Sequence, residues 1–192
     1  MEDRVGSSSG TLLGSGTYTV NYGTTTNARS LRSVSYTGYT YSSNSGNKYI
    51  TSATTLYNYF TANSYNIYYY GNDSNGTISN LPTSGSISYN SSISSSIPTN
   101  IYRVIFNANG GYCSTSYLDA SRTFNNWNTL SNGSGTTWHP GDIFSITSPL
   151  YLYAQWLSVT SITLPSATRT NYDFLGWSTS PTASSGQQLV VL

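Results

Sequence analysis

Short runs of apolar and β-branched residues, interrupted by Gly- and Asn-rich turns, recur along the chain. Three of these runs begin similarly, at Tyr18–Tyr22, Tyr65–Tyr70 and Tyr102–Phe106, and each leads into a turn that contains glycine or asparagine. Tyrosine and β-branched residues fit the pleated surface of a sheet, and an Asn-Gly turn supplies the positive φ that a tight hairpin requires. The pattern therefore predicts repeated units of strand, turn and strand.

Two later runs match each other and end these units. Residues 50–60 read ITSATTLYNYF and residues 146–156 read ITSPLYLYAQW, so that a Leu-Tyr pair and a final aromatic residue recur at the same places. Their alternation of apolar and polar positions again indicates strands. Between the opening and the end of a unit lies an aromatic centre, which is clearest at residues 122–129 and 169–179. These recurrences indicate a series of diverged repeats.

Helix signals are nearly absent. No stretch keeps apolar residues at helical spacing for three turns, and Gly, Pro and β-branched residues interrupt every candidate. The predicted fold class is mainly β, with tandem small β-sheet modules and little or no helix. The repeats divide the chain into five segments: residues 1–16, a flexible or partner-held N-terminal segment; 17–60, a first diverged repeat; 61–100, a partial second repeat with a Ser-rich linker; 101–156, a third repeat; and 157–192, a partial and truncated fourth repeat.

The third and fourth repeats carry a recognisable set of motifs. The third reads VIFNANGG at 104–111, RTFNNW at 122–127 and LYAQW at 152–156, and the fourth reads RTNYDFLGW at 169–177. These motifs resemble the Listeria–Bacteroides repeat, also called the internalin B-repeat, a module of bacterial surface proteins and some phage structural proteins. The resemblance implies a small β-grasp-like fold, a spacer or adhesive role and no catalytic residues. It also implies that aromatic motif residues form the core of the repeats: Phe106, Phe124, Trp127, Tyr153, Trp156, Tyr172, Phe174 and Trp177.

Composition narrows the classes of partner. Only 7% of the residues are charged, against roughly 25% in an ordinary soluble domain, and the formal net charge is +1. A chain without a basic or acidic cluster offers no electrostatic footprint for nucleic acid or an anionic membrane, and no apolar run is long enough for membrane insertion. A surface with so little net charge, on repeats that are marginally stable alone, predicts a homo-oligomer or a larger assembly.

Catalytic and metal chemistry have few candidate residues. His139 is the only histidine and Cys113 the only cysteine. A nucleophilic triad or a zinc site needs further residues of suitable type at matching positions. We therefore expect no enzyme activity, no cofactor and no metal site.

Some aromatic residues lie outside the motif positions and are candidates for an exposed binding face. A strand directs alternate side chains to opposite faces, so a run of tyrosines must present some of them outward. The candidates are Trp138 and the run Tyr68, Tyr69 and Tyr70. They could contact a surface glycan, a protein receptor or a neighbouring subunit.

The leading hypothesis is a non-catalytic structural or attachment protein displayed on a bacteriophage virion, as a fibre, decoration or tail component, or on a bacterial cell surface. The virion is slightly favoured because the chain starts at Met1 with no signal sequence and contains no wall-anchoring or membrane segment. One alternative is a carbohydrate-binding module of a surface adhesin or a larger enzyme. Another is a subunit of a self-assembling extracellular fibre. The expected location is a virion surface or the outside of a bacterial cell.

Overall fold

Strands dominate the structure, a computed structural model that describes residues 1–179. Strand accounts for 44% and helix for 2%, which confirms the predicted mainly β class. The helix of this region is α1 (Ala28–Leu31), which Asn27 caps by accepting the Ser30 N–H (2.9 Å). The strands are β1 (Glu2–Val5), β2 (Leu12–Ser15), β3 (Thr25–Thr26), β4 (Tyr39–Asn44), β5 (Lys48–Tyr49), β6 (Tyr57–Ala62), β7 (Ser64–Tyr70), β8 (Thr77–Ser79), β9 (Gly85–Ser88), β10 (Thr99–Ile105), β11 (Tyr112–Cys113), β12 (Tyr117–Asn128), β13 (Thr137–Trp138), β14 (Leu150–Val159) and β15 (Ala167–Thr168).

The chain folds into two compact units, and each unit is assembled from separate segments of the sequence. The N-terminal unit comprises Met1–Tyr68, Ser84–Ile93 and Gly141–Leu150. The C-terminal unit comprises Tyr69–Thr83, Ser94–Pro140 and the segment that begins at Tyr151. The five segments predicted from the repeats follow one another along the chain, whereas these two units interleave.

A four-stranded sheet in the order β2-β1-β6-β4 lies in the N-terminal unit. Strand β1 pairs antiparallel with β2 and parallel with β6, and β4 pairs antiparallel with β6. Two strands of the segment 1–16, β1 and β2, therefore belong to a sheet, whereas the sequence predicts a flexible or partner-held segment. The difference arises because Gly6, at φ +72°, lets the chain turn back, and β6 then satisfies backbone groups of β1.

The first predicted strand, Tyr18–Tyr22, is irregular in the structure. No described strand pairs with it, and strand propensity without a pairing partner does not make a strand. The chain instead makes a turn in which Thr24 N–H donates to Asn21 O (3.2 Å), with Gly23 at φ +81°. The residues after this turn form β3, which pairs with β5.

The C-terminal unit contains long antiparallel strands. Strand β10 pairs with β8 and β12, and β12 pairs with β14 and with the short β13. Trp127 of β12 lies opposite both Ala154 of β14 and Trp138 of β13. Strand β14 includes the LYAQW motif, where the alternation of apolar and polar residues predicts a strand. A separate two-stranded ladder joins β11 and β15.

Each unit buries apolar side chains of its own. Leu56, Phe60 and Phe144 are buried in the N-terminal unit, and Trp127 and Leu152 are buried in the C-terminal unit. Full burial of a Leu or Phe side chain stabilises a fold by about 1.5–3 kcal/mol. Packing of this kind is the main source of stability in a chain that has one cysteine and therefore no intrachain disulfide.

Candidate functional site

An aromatic cluster occupies the core of the C-terminal unit. Trp127 is fully buried, and its ring centroid lies 5.0 Å from that of Tyr69 and 5.1 Å from that of Phe124. Phe124 meets Trp156 edge to face at 5.8 Å, and the Trp156 indole N–H donates to Gly71 O (2.7 Å). Aromatic pairs in these geometries stabilise a core beyond the area that they bury. The cluster therefore holds β12 and β14 against the segment that contains Tyr69 and Gly71.

The other predicted core residues divide between the interior and the surface. Phe106 is buried, and its ring centroid lies 4.8 Å from that of the half-buried Trp177, while Tyr153 is also half-buried. Tyr172 and Phe174, in contrast, are exposed, which corrects their expected place in a core. Among the described residues, the segment after β14 contributes only the two-residue β15 to a sheet, so no second layer covers these two rings.

Two of the four residues expected on an exposed binding face are buried, which corrects that expectation for Trp138 and Tyr69. Side chains alternate along β7, so that Ile67 and Tyr69 face the interior while Tyr70 is exposed and Tyr68 is half-buried. Trp138 is buried because β13 pairs with the core strand β12. The predicted face is therefore reduced to Tyr70 and part of Tyr68.

A buried carboxylate belongs to Asp73, in the loop between β7 and β8 of the C-terminal unit. Its side chain is 5% exposed and accepts hydrogen bonds from the Tyr102 hydroxyl, from Asn100 Nδ2 (2.9 Å) and from Arg122 Nη1 (3.1 Å). Burial by itself would raise its pKa, but hydrogen bonds from Tyr102, the Asn75 backbone N–H and Asn100 outweigh burial and lower the pKa to about 2. At neutral pH this carboxylate is only an acceptor, so its role is to hold the loop and the neighbouring strands in place.

The N-terminal unit has a matching carboxylate at Asp3, on β1. Asp3 is fully buried and accepts hydrogen bonds from Arg32 Nε (2.7 Å), the Tyr36 hydroxyl (2.7 Å) and Asn58 Nδ2 (2.9 Å). Burial raises its pKa, but these hydrogen bonds outweigh burial and leave the pKa below its usual value. We refer to Asp3 and Asp73 with these partners as the two aspartate networks.

Sequence reasoning missed both aspartate networks. The side-chain partners of each aspartate lie 27 to 55 positions away along the chain, so no short sequence motif predicts the networks. The available signal was the scarcity of acidic residues, of which the chain has six. When charges are this few, each aspartate is a candidate for a paired, structural role.

Reactive side chains are dispersed in the described residues. No group of three or more His, Cys, Asp or Glu residues that could hold a metal ion occurs within residues 1–179. Cys113 is half-buried, and the Asp119 carboxylate accepts two hydrogen bonds of 2.8 Å from Arg103. The chemistry available at the surface is mainly that of tyrosine rings, hydroxyl groups and amides.

A groove of about 460 Å³ opens in the N-terminal unit between the irregular segments 17–22 and 50–54. Tyr22 and Tyr18 line it and are 80% and 41% exposed, while the buried Leu56 supplies part of its apolar lining. Because the sequence predicts a strand at Tyr18–Tyr22, it gave no indication of this groove. The signal for it was the glycine that follows Tyr22, because a positive-φ turn at this position presents the preceding side chain to solvent.

The fold and the recurring aromatic motifs define a mainly β protein that contains small repeats. The sequence profile of the Listeria–Bacteroides repeat domain matches this chain twice, over residues 120–155 and 158–188. The resemblance seen in the motifs is confirmed, and residues 120–188 contain tandem repeats of this family. Such repeats are typical of bacterial surface proteins, which indicates a surface-associated repeat protein.

One relative is a protein of Evansella cellulosilytica that is provisionally named as a membrane protein. It is 33% identical to this chain over 105 residues, which correspond to 54% of this chain and 13% of the relative. This chain therefore matches only a small part of that protein's length. No solved structure matches the chain. Within residues 1–179, no helix is both long and apolar enough to span a bilayer.

Proposed function

We propose that this chain is a non-catalytic structural and attachment segment displayed on the outside of a bacterial cell or of a phage virion. The observation that carries the proposal is the tandem match, over residues 120–155 and 158–188, to a repeat family typical of bacterial surface proteins. The bacterial relative that is named as a membrane protein supports the cell surface as the place of display. The alternative place of display is the surface of a phage virion, where the chain would be a structural component with the same repeats.

The side-chain chemistry supports a role in contact rather than in catalysis. Part of the scarce charge is used in the interior, where Asp3 pairs with Arg32 and Asp73 pairs with Arg122. The chain is rich in Tyr, Ser, Thr, Asn and Gly, and several of its tyrosines are exposed. Tyrosine offers a rigid contact area at low entropic cost, and small polar residues add adaptable hydrogen bonds. Such a surface suits adhesion to a glycan, a receptor protein or further copies of the chain.

Assembly with further copies is part of the proposal. Large apolar side chains remain exposed in the C-terminal unit, among them Ile105 and Leu175. A net charge of +1 provides little repulsion between copies. Native mass spectrometry at micromolar concentration should therefore show dimers or larger species, and a spectrum that contains only monomer would contradict this part of the proposal. Filaments in negative-stain micrographs would identify the fibre form.

Immunogold electron microscopy tests the proposed display. Antibodies against the purified chain are applied to intact cells and to purified virions of a source that carries the protein, with permeabilised cells as the comparison. We expect gold particles on the outer surface of one of the two. Gold that is confined to the interior of permeabilised cells would overturn the proposal.

Carbohydrate binding is the second candidate function. The groove of the N-terminal unit favours it, because exposed tyrosines and hydroxyl groups line the same concave surface. This candidate does not compete with display on a surface, since a displayed attachment protein needs a ligand.

A further inference from the structure

The groove of the N-terminal unit has a defined shape at one end. There its two walls, residues 17–22 and 50–54, are joined by two backbone hydrogen bonds, from Gly23 N–H to Ile50 O (2.8 Å) and from Ile50 N–H to Thr24 O (2.9 Å). The pairing of β3 with β5 continues this connection. The walls are thus held at a fixed separation before any ligand arrives, which lowers the entropic cost of binding.

One wall presents a tyrosine at the tip of a tight turn. Tyr22 lies in the turn closed by the hydrogen bond from Thr24 N–H to Asn21 O (3.2 Å). Gly23 follows it with φ +81°, a conformation that favours glycine, so the position of the Tyr22 backbone is set by the turn. Tyr22 is 80% exposed, and Tyr18 on the same wall is also exposed. Tyr22 therefore offers a flat apolar ring with a polar tip at the groove, whereas the Tyr18 hydroxyl interacts with Arg32.

Hydroxyl groups and free backbone groups complete the groove. Five exposed hydroxyl residues line it: Thr17, Thr19, Thr51, Ser52 and Thr54. In the structure of residues 1–179, the backbone groups of 17–20 and 51–54 form no hydrogen bond, so their N–H and C=O groups are available to a ligand. Backbone donors and acceptors of this kind must be satisfied by water or by a bound molecule.

The groove carries no charged side chain. None of its lining residues is Asp, Glu, Lys, Arg or His, and the Met1 amino group at its margin donates to Gly16 O (2.9 Å). A cationic ligand would lose hydration on entering without gaining a counter-charge, because the formal charge at the lining is the Met1 ammonium group. The lining therefore disfavours a cationic ligand and suits one with many hydroxyl groups and an apolar face.

We propose that this groove binds a neutral glycan. A sugar ring stacks on Tyr22 through its C–H face, and its hydroxyl groups hydrogen-bond with the Thr and Ser side chains and with the free backbone groups of the two walls. This inference deepens the proposed attachment role and rests on it. An extended peptide, which could also use the backbone groups, is tested as the competing ligand.

A titration monitored by nuclear magnetic resonance tests the inference on the full chain. Amide shifts are measured because no tryptophan lines the groove. The probes are neutral tri- to hexasaccharides of glucose, galactose, mannose and N-acetylglucosamine, sulfated forms of the same sugars, and a neutral Ser- and Thr-rich peptide. We expect saturable shifts of the Tyr18, Tyr22 and Thr51 amides with at least one neutral oligosaccharide, and no stronger binding of its sulfated form.

Matched variants assign the binding to the groove. Tyr22→Ala should weaken binding about tenfold, which is the order of one aromatic contact, and Tyr22→Phe should restore most of it because the ring is kept. Tyr112→Ala is the control, since Tyr112 is a 70% exposed tyrosine in the C-terminal unit, and it should leave the affinity unchanged. Thermal unfolding of each variant verifies that the fold is retained.

Three results would overturn the inference: no saturable shift with any neutral oligosaccharide, equal affinities of Tyr22→Ala and Tyr112→Ala, or stronger binding of the peptide at the same amides. Failure of the inference is distinguishable from failure of the proposed function. Surface labelling without glycan binding overturns the groove proposal alone, whereas glycan binding by a chain found only inside cells overturns the display proposal alone.

Discussion

The two units contain the same type of polar centre but complete it in different ways. A buried aspartate accepts hydrogen bonds from an arginine, a tyrosine hydroxyl and an asparagine amide: Asp3 from Arg32, Tyr36 and Asn58, and Asp73 from Arg122, Tyr102 and Asn100. Asp3 lies on a strand and uses only side-chain donors. Asp73 lies in a loop and also accepts the backbone N–H groups of Asn75 and Gly76.

In a chain with so few charged residues, these two buried carboxylates help to determine which segments pack together. A carboxylate in the interior must have partners, because an unpaired buried charge costs several kcal/mol. In the N-terminal unit that requirement ties β1 to distant side chains, and in the C-terminal unit it also shapes the loop after β7. Both arrangements favour one pairing of the strands over alternatives that would leave the carboxylate without donors.

The units also differ in their aromatic residues. All four tryptophans lie in the C-terminal unit, which holds most of the residues matched by the repeat family. In the N-terminal unit the buried Phe60 is flanked edge-on by Tyr36 at 5.2 Å and Tyr41 at 5.8 Å, while Tyr22 stays in solvent. Under the proposed function, the tryptophan-rich unit is mainly structural and the tyrosine groove is the recognition surface.

Loss of either buried aspartate should give the largest effects. Asp3→Ala leaves three donors without their acceptor and Asp73→Ala leaves five. Removal of one partner from a buried charged pair costs about 3–5 kcal/mol of unfolding free energy. Urea denaturation followed by circular dichroism measures this loss. Asp119→Ala is the control, because Asp119 pairs with Arg103 at the surface, and its unfolding midpoint should equal that of the parent. Equal midpoints for all three variants would show that the networks do not stabilise the units.

Acid should destabilise the fold by an intermediate amount. The Asp73 carboxyl has an ordinary pKa of 3.8 and a folded pKa of about 2, so its stabilising contribution is complete above about pH 4 and is lost as the pH falls toward about 2. At about 1.4 kcal/mol per pKa unit, this corresponds to about 2 kcal/mol. The lowered pKa of Asp3 adds a loss in the same direction.

Urea midpoints measured from about pH 5 to about pH 2 verify this dependence. The matched variant is Asp73→Asn, which keeps the shape of the side chain but has no group that titrates. The parent should lose about 2 kcal/mol more than this variant over the interval. Parallel curves for the two proteins would mean that Asp73 does not contribute to acid sensitivity.

The smallest effect should come from the turn that presents Tyr22. Gly23→Ala places a side chain at φ +81°, and its Cβ would lie 3.3 Å from the Tyr49 hydroxyl. We expect a loss of about 1 kcal/mol in unfolding free energy, together with weaker oligosaccharide binding because the turn shifts. Gly85→Ala is the control, since no atom lies within 4 Å of the added Cβ and the φ is not positive. Equal stability and equal binding of the two variants would argue against a fixed turn.

The strands that alternate clearly were predictable from the sequence, and the features that depend on pairing were not. In β14, buried and less buried positions alternate at the start of the strand, as the alternation of apolar and polar residues predicts, because successive side chains point to opposite faces of a sheet. Tyr18–Tyr22 has a strand composition but finds no partner, and Trp138 is buried only because β13 pairs with β12.

The candidate site was less predictable than the strands. The groove and the aspartate networks join residues that are far apart in the sequence, and loop closure leaves no periodic signal for such contacts. Their recognition required the three-dimensional structure.

Lys48 provides the most direct test of the central claim that the chain is displayed outside a cell or virion. Lys48 is the only lysine of the chain and lies exposed on β5. Intact cells or virions that carry the protein are treated with a membrane-impermeant amine reagent, and the peptide that contains Lys48 is analysed by mass spectrometry, with Lys48→Arg as the control. We expect modification of Lys48 on intact particles, whereas modification that occurs only after lysis would contradict display.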